Sequence, residues 1–154
     1  MSTANAKDKK TKPAGGKKEI SDEERSGKCL FYFNDDITYD GEWILNEETM
    51  QKQKHGFGIY KDGTNTYEGN FENDIINGKG KMTWANGAQY EGDFVKGQME
   101  GIGVYIWPNK TQKYEGTFVN NKMHGKGRYT SEDGKVWKGY FYDGKGENLE
   151  RELM

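Results

Sequence analysis

Tyr90-Glu91-Gly92-Asp93-Phe94, a short polar run, and then Gly101-Ile102-Gly103 form the stretch that decides the fold. The pattern returns at Tyr67–Gly80 and Tyr114–Gly127. A broken copy precedes them (Tyr39-Asp40-Gly41-Glu42-Trp43, then His55-Gly56-Phe57-Gly58), and a half-copy follows at Trp137-Lys138-Gly139-Tyr140-Phe141. Lead residues stand at 67, 90, 114 and 137, a period of about 23. A fixed period of this size marks a repeat architecture, each unit being one supersecondary element that buries its apolar face on its neighbours.

Within each copy the apolar spacing is two, and glycine recurs too often for helix. Tyr67, Gly69 and Phe71 then share one face with Gly80, Met82 and Trp84. Asn86-Gly87 carries a hairpin signal, with Asp62-Gly63 and Asp133-Gly134 in the equivalent places and Pro108-Asn109-Lys110 substituting in the third copy. The run Glu72–Asn77 reads as a loop. The expectation is an all-β chain: one elongated antiparallel sheet of stacked β-hairpins. Gly27–Phe33 supplies a first strand that resembles the second half of a repeat.

The alternation stacks three columns: Tyr39, Tyr67, Tyr90, Tyr114 and Trp137; Trp43, Phe71, Phe94, Phe118 and Phe141; and between them Gly41, Gly69, Gly92, Gly116 and Gly139. Glycine weakens a strand unless something approaches the backbone closely, so an aromatic ring is expected over each. The other face begins with Asp40, Glu68, Glu91, Glu115 and Lys138. It is expected to be a solvated face paired across strands with residues such as Lys81 and Arg128, although a carboxylate row is also a candidate stripe for a basic partner.

Composition agrees with a thin structure. Only 32% of residues are hydrophobic, but 7 Phe, 10 Tyr and 4 Trp are concentrated in the repeats. Aromatic rings bury the most area per residue and can hold a single sheet with few aliphatics. Residues 1–18 carry Lys7, Lys9, Lys10, Lys12, Lys17 and Lys18 against one Asp. That is net +5, leaving −7 for the rest. Residues 1–26 are read as a basic, disordered arm in which Glu19–Ser26 is a short helix or linker. Residues 27–144 form the repeat domain, and 145–154 a tail that covers the last sheet edge with a helical turn. Gly56 stands 15 positions after Gly41 where the equivalent glycines of the other copies are nine apart, so Leu45–Lys54 is expected to be an enlarged loop.

Chemistry is sparse. His55 and His124 occupy the same place in two copies, in the loop before Gly-x-Gly, and should lie three repeats apart, too far to converge on a metal. Cys29 has no histidine near it in sequence and is read as a semi-buried strand residue. A lone cysteine excludes an internal disulfide framework and agrees with a reducing compartment. Gly139–Gly146 spells most of a phosphate loop but has Gly146 where Ser or Thr should follow Lys145. No apolar run reaches the length of a signal peptide or a membrane span. The chain is expected to be no enzyme and to use no cofactor, metal, small-molecule substrate or nucleic acid.

The unit Tyr-Glu-Gly-x-Phe, seen at Tyr67-Glu68-Gly69, Tyr90-Glu91-Gly92 and Tyr114-Glu115-Gly116, resembles the MORN repeat (membrane occupation and recognition nexus). So does the Gly-x-Gly element of His55-Gly56-Phe57-Gly58 and His124-Gly125-Lys126-Gly127. The resemblance implies a hairpin meander with a lengthwise groove, in a family of scaffolds and adaptors found in ciliary axonemes and membrane–cytoskeleton junctions. Some members hold motor-tail helices and some were proposed to bind phosphoinositides. On this basis the expected function is a non-catalytic scaffold of the cytoplasm and cytoskeleton, in a cilium or flagellum axoneme. Its partner, a cytoskeletal or axonemal protein, would lie along Tyr67, Trp84, Tyr90, Phe94, Trp107, Tyr114 and Phe118. Tyrosine at the lead position is the informative choice and points to an exposed polar tip, since a purely buried column would tolerate Phe. The alternative is an anionic-membrane adaptor acting through Lys7, Lys9, Lys10, Lys12, Lys17 and Lys18.

Overall fold

A computed structural model describes residues 21–153. After a single helical turn, α1 (Asp22–Arg25), come eleven strands: β1 (Ser26–Tyr32), β2 (Ile37–Asn46), β3 (Gln51–Asp62), β4 (Asn65–Glu72), β5 (Ile75–Thr83), β6 (Gln89–Val95), β7 (Gln98–Ile106), β8 (Lys113–Val119), β9 (Lys122–Thr130), β10 (Val136–Tyr142) and β11 (Lys145–Arg151). Each pairs antiparallel with the next in chain order, giving one eleven-stranded meander. The all-β single sheet is therefore as expected. Residues 1–20 of the basic arm lie outside the described residues; of its remainder, Asp22–Arg25 form α1 and Ser26 opens β1 rather than being disordered.

Register explains the glycines. Gly41, Gly58, Gly69, Gly80, Gly92, Gly103, Gly116, Gly127 and Gly139 are paired strand to strand as one unbroken row across the sheet. The ring of each lead tyrosine lies over two of them, the glycine two residues later in its own strand and that glycine's partner. A Cβ at Gly92 would fall 2.6 Å from Tyr90 Oη and 2.6 Å from Gly103 Cα; one at Gly103 would fall 2.5 Å from the Tyr90 ring. The expected ring-over-glycine packing is present, with each ring covering a pair.

Beside the row, the rings form a zigzag of edge-to-face contacts. Tyr39–Phe71, Phe71–Tyr67, Tyr67–Phe94, Phe94–Tyr90, Tyr90–Phe118, Phe118–Tyr114 and Tyr114–Phe141 have centroids 4.7–5.3 Å apart. Such pairs are worth about 0.5–1.5 kcal/mol each beyond area burial. Because Tyr67, Tyr90 and Tyr114 each touch the phenylalanine of their own copy and of the next, and Tyr39 touches Phe71 of the next, the zigzag, not any one hairpin, is the core.

Three expectations need correction. The Glu72–Asn77 loop is a tight turn: β4 and β5 join through Asn73-Asp74 alone. This turn and Lys96-Gly97, Asn120-Asn121 and Asp143-Gly144 have two positive φ angles, the first near 49° in all four. That is the mirror-image turn matching strand twist, and Asn, Asp and Gly tolerate it. Leu45–Lys54 is likewise no loop but a longer hairpin, paired Leu45↔Lys52 and Asn46↔Gln51. The tail is strand, not a helical turn. β11 pairs with β10, and Leu149 fills the space over Gly139 and Gly146 where the next tyrosine would lie.

Gly92→Ala should lower stability by roughly 1–3 kcal/mol through overpacking against the Tyr90 ring, read as a fall in melting temperature. An unchanged melt would remove the ring-over-glycine account.

Candidate functional site

The two halves of a repeat have different fates. First strands (β2, β4, β6, β8) contribute Tyr39, Tyr67, Tyr90 and Tyr114, each at most 1% exposed, and Phe71, Phe94 and Phe118 beside them are equally enclosed. Of the seven residues expected to line a groove, Tyr67, Tyr90, Phe94, Tyr114 and Phe118 are covered by the chain's own zigzag and offer no contact surface. Trp84 and Trp107, on the second strands' side of the sheet, are half-buried and remain accessible. Lys7, Lys9, Lys10, Lys12, Lys17 and Lys18 lie outside the described residues.

The lead tyrosines are tyrosines for an internal reason. After the glycine pair each second strand carries two extra residues, shifting the register between Gly41 and Trp43, Gly69 and Phe71, Gly92 and Asp93, and Gly116 and Thr117. The bulge leaves a carbonyl of the first strand turned toward the core. The tyrosine hydroxyl donates to it: Tyr39 to Glu42 (2.5 Å), Tyr67 to Asn70 (3.0 Å), Tyr90 to Asp93 (3.0 Å) and Tyr114 to Thr117 (3.1 Å). Burial raises the phenols of Tyr39, Tyr67 and Tyr114 to about 12, and that of Tyr90 further. A Phe in this column would leave the carbonyl unsatisfied. The hydroxyl thus marks a bulge, not an exposed surface.

The side chain of that same residue closes the bulge from outside. Glu42 Oε2 accepts from Phe57 N–H (3.0 Å), Asp93 Oδ2 from Ile102 N–H (3.2 Å), and Asn70 Nδ2 donates to the Lys79 carbonyl (3.1 Å). Lys79, hydrogen-bonded to Asp93 at 2.7 Å, holds that carboxyl below its usual range. The x of Tyr-Glu-Gly-x-Phe is Glu, Asn, Asp and Thr in the four copies. That constant polarity was the available signal for this role.

What remains exposed on the aromatic face comes from the second strands. Trp84, Tyr105, Trp107 and Tyr129 are half-buried and touch in series at 5.7, 4.9 and 5.7 Å. Tyr60 continues the row on β3, where Tyr60, Asp62, Asn65, Thr66, Met82 and Trp84 border a cleft of about 260 Å³. At the β3 end, Lys54 Nζ sits 5.6–5.9 Å from the rings of Phe33, Tyr39 and Tyr60 and 3.1 Å from Asp74 Oδ1. Sequence reasoning found the two tryptophans but not Tyr60, Tyr105 and Tyr129. They lack a glycine-flanked motif, although each sits two residues after the second glycine of its copy.

The opposite face is charged as expected, with Lys81–Glu91 (3.7 Å) and Arg128–Glu115 (3.6 Å) pairs across strands. Screened pairs of this kind are worth little individually. It also holds a shallow groove of about 610 Å³ where Phe57, Ile102 and Val104 meet Glu68, Lys81 and Glu91. His55 and His124 lie in β3 and β9, not in loops. The His55 Nδ1 accepts from Asn73 N–H at 3.5 Å, and the His124 ring stacks obliquely on Tyr142.

A family model for the MORN repeat matches residues 50–66, 67–89, 90–112 and 114–136, more than half of the chain. The chain belongs to the MORN repeat family. Three of the matched segments begin at the lead tyrosines of β4, β6 and β8. MORN repeats are generally associated with protein or membrane-lipid interactions, and the first strand, the N-terminal part of the long hairpin and the last hairpin of this sheet lie beyond the match.

Tyr90→Phe should cost about 1–3 kcal/mol by orphaning the buried Asp93 carbonyl, measured by denaturant unfolding. Alkali tests the same bonds. The folded state holds these phenolic protons more tightly than the unfolded chain, so the tyrosines' contribution to stability is fully present below pH 10.0 and is lost as pH climbs from there toward about 12. Tyrosinate absorbance of the column and loss of the strand circular-dichroism signal should therefore rise together. Ionisation of these four at the ordinary phenol pH with the sheet intact would contradict it.

Proposed function

We propose that this MORN protein is a non-catalytic protein–protein scaffold that holds a helix or extended segment of a partner against the row Tyr60, Trp84, Tyr105, Trp107 and Tyr129. The observation that carries this reading is the difference between the two strand types. One set of aromatics is enclosed, its tyrosines hydrogen-bonded, whereas the second set, in which Trp84, Tyr105, Trp107 and Tyr129 touch ring to ring, stays half-open on the same face. Aromatic side chains with polar tips give large contact area at low entropy cost and are enriched among the residues that dominate interfaces. A row crossing several strands suits an elongated occupant in the helix-in-groove or extended mode.

The setting proposed is cytoplasmic and cytoskeletal, in a cilium or flagellum axoneme, with an axonemal protein as partner; it rests on family analogy. The anionic-membrane reading rests on Lys7–Lys18 alone. The described face opposite the aromatic row mixes carboxylates with lysines and has no basic concentration.

Cross-linking pull-downs from ciliated cells with the purified chain test both parts. Axonemal proteins should be retained by the native chain, and Tyr105→Ala or Trp107→Ala should weaken capture by about 2 kcal/mol or more, the level of a dominant interface residue. Glu91→Ala and Ile102→Glu should leave it unchanged. The reverse ranking would move the surface to the groove at Phe57 and Ile102. Binding to phosphatidylserine vesicles that vanishes on deleting residues 1–18, with no axonemal capture, would favour the membrane reading.

A further inference from the structure

β1 is a sheet edge built to accept a second β1. Phe33 N–H donates to the Ile37 carbonyl at 3.0 Å, and the β1–β2 register runs without a shift from Tyr32↔Thr38 to Ser26↔Ile44. Hydrogen-bonded pairs alternate along an antiparallel ladder. Phe31, Cys29 and Gly27 therefore also bond to β2, and the N–H and C=O groups of Ser26, Lys28, Leu30 and Tyr32 point away from the sheet. Among the described residues no strand receives them. Beside this row Leu30, Tyr32 and Phe33 are 47%, 73% and 57% exposed. The strand has no proline, no bulge and a single charge, Lys28. Such an edge is the template for strand addition that proteins ordinarily blunt. The opposite edge is blunted in the expected way: the β10–β11 pairing is bulged between Lys138 and Tyr140, and β11 carries Lys145, Glu147, Glu150 and Arg151.

We infer that the occupant of the β1 edge is the β1 edge of a second copy, related by a twofold axis through Cys29. The strand has seven residues and Cys29 is the middle one. An antiparallel partner centred there brings Lys28 opposite Leu30 and Ser26 opposite Tyr32, so all four outward-facing residues of each copy meet outward-facing residues of the other and exchange two hydrogen bonds per pair. No like charges stand directly opposite. On the aromatic face Phe31 comes alongside Gly27 of the other copy. There the Trp43 ring, 3.0 Å from where a Gly27 Cβ would lie, continues the aromatic layer across the junction.

The repeat logic argues against a repeat-type strand as occupant. Cys29 pairs with Gly41 and so stands where β3, β5, β7 and β9 have Gly58, Gly80, Gly103 and Gly127. A lead tyrosine on an added strand would need that position empty: a Cβ at Gly58 would fall 2.3 Å from the Tyr39 ring. The edge thus refuses head-on continuation of the repeat, whereas self-pairing places no tyrosine there. The axis puts the two Cys29 residues in a non-hydrogen-bonded pair, with Cα atoms about 4.5 Å apart, close enough for a short thiol cross-link.

The full-length chain, kept reduced, should sediment with twice the chain mass, and a short bismaleimide should join two chains through Cys29. Leu30→Pro removes an outward N–H that β2 does not use, a substitution edge strands tolerate. It should yield a monomer with the strand circular-dichroism signal and melting temperature of an intact sheet, and the Cys29 cross-link should be lost. Leu30→Lys provides the milder version, with a dimer weakened but still cross-linkable at raised concentration. A native chain that stays monomeric, a dimer indifferent to both variants, or a dimer whose Cys29 residues do not cross-link would each overturn the inference.

Discussion

A tyrosine ring can lie flat on a β-sheet only where two neighbouring strands both lack a side chain beneath it. Everything else in this molecule depends on that constraint. It sets glycine at one position of each strand from β2 to β9, and it fixes register, because a slip by one residue would push a Cβ into a ring. It also dictates the bulge. A phenol lying over the glycine pair extends to the next residue, and the carbonyl there becomes its acceptor only if the opposite strand swings away. The two added residues of each second strand, with a glycine at positive φ among them (Gly56, Gly78, Gly101, Gly125), provide that departure.

The arrangement also shows how a chain with so little aliphatic content holds together. Among the described residues no second layer covers the sheet. Each enclosed tyrosine instead borrows the phenylalanine of the following copy, so burial is shared along the array and falls off at its ends. At the N-terminal end the zigzag closes on Phe31 and the lysines of the long hairpin, with Lys52 over Trp43 at 3.9 Å and Lys54 among three rings. At the C-terminal end Trp137 replaces the lead tyrosine, and Leu149 takes the space over Gly139 that a ring would otherwise occupy. The terminal copies are irregular because they have a neighbour on one side only.

Much of this was legible in the sequence. Period, alternation and glycine columns led directly to the meander and to the ring-over-glycine contact. The errors share one physical source: local patterns do not say where a strand is extended by its partner. Glu72–Asn77 is polar, as loops are, yet Asn73-Asp74 suffices to turn, and the flanking residues are held in the ladder. Leu45–Lys54 has generic loop composition, but its residues pair with one another. The stretch from Asn148 onward reads as a helical turn in isolation, yet Asn148–Arg151 belong to β11 because β10 offers an open edge. The site was misread for a related reason. A polar tip on an aromatic column is consistent with water or with a buried acceptor, and only the bulge, a feature of strand pairing, decides between them.

That decision separates the two strands of each repeat. Tyr39, Tyr67, Tyr90 and Tyr114 have their hydroxyls committed and their rings enclosed, so these positions are fully used by folding. Second strands escape this. Beyond the glycine pair, Tyr60, Met82, Tyr105 and Tyr129 rest against the tyrosine column on one side only, and the residues that follow, such as Trp84 and Trp107, overhang the turns. They can vary between Met, Tyr and Trp without disturbing the glycine row, as they do among these copies. A surface free to change while its support cannot is where an array of identical units acquires a particular partner. In this chain the open aromatic surface belongs to the second strands, and the enclosed column that holds the sheet together belongs to the first.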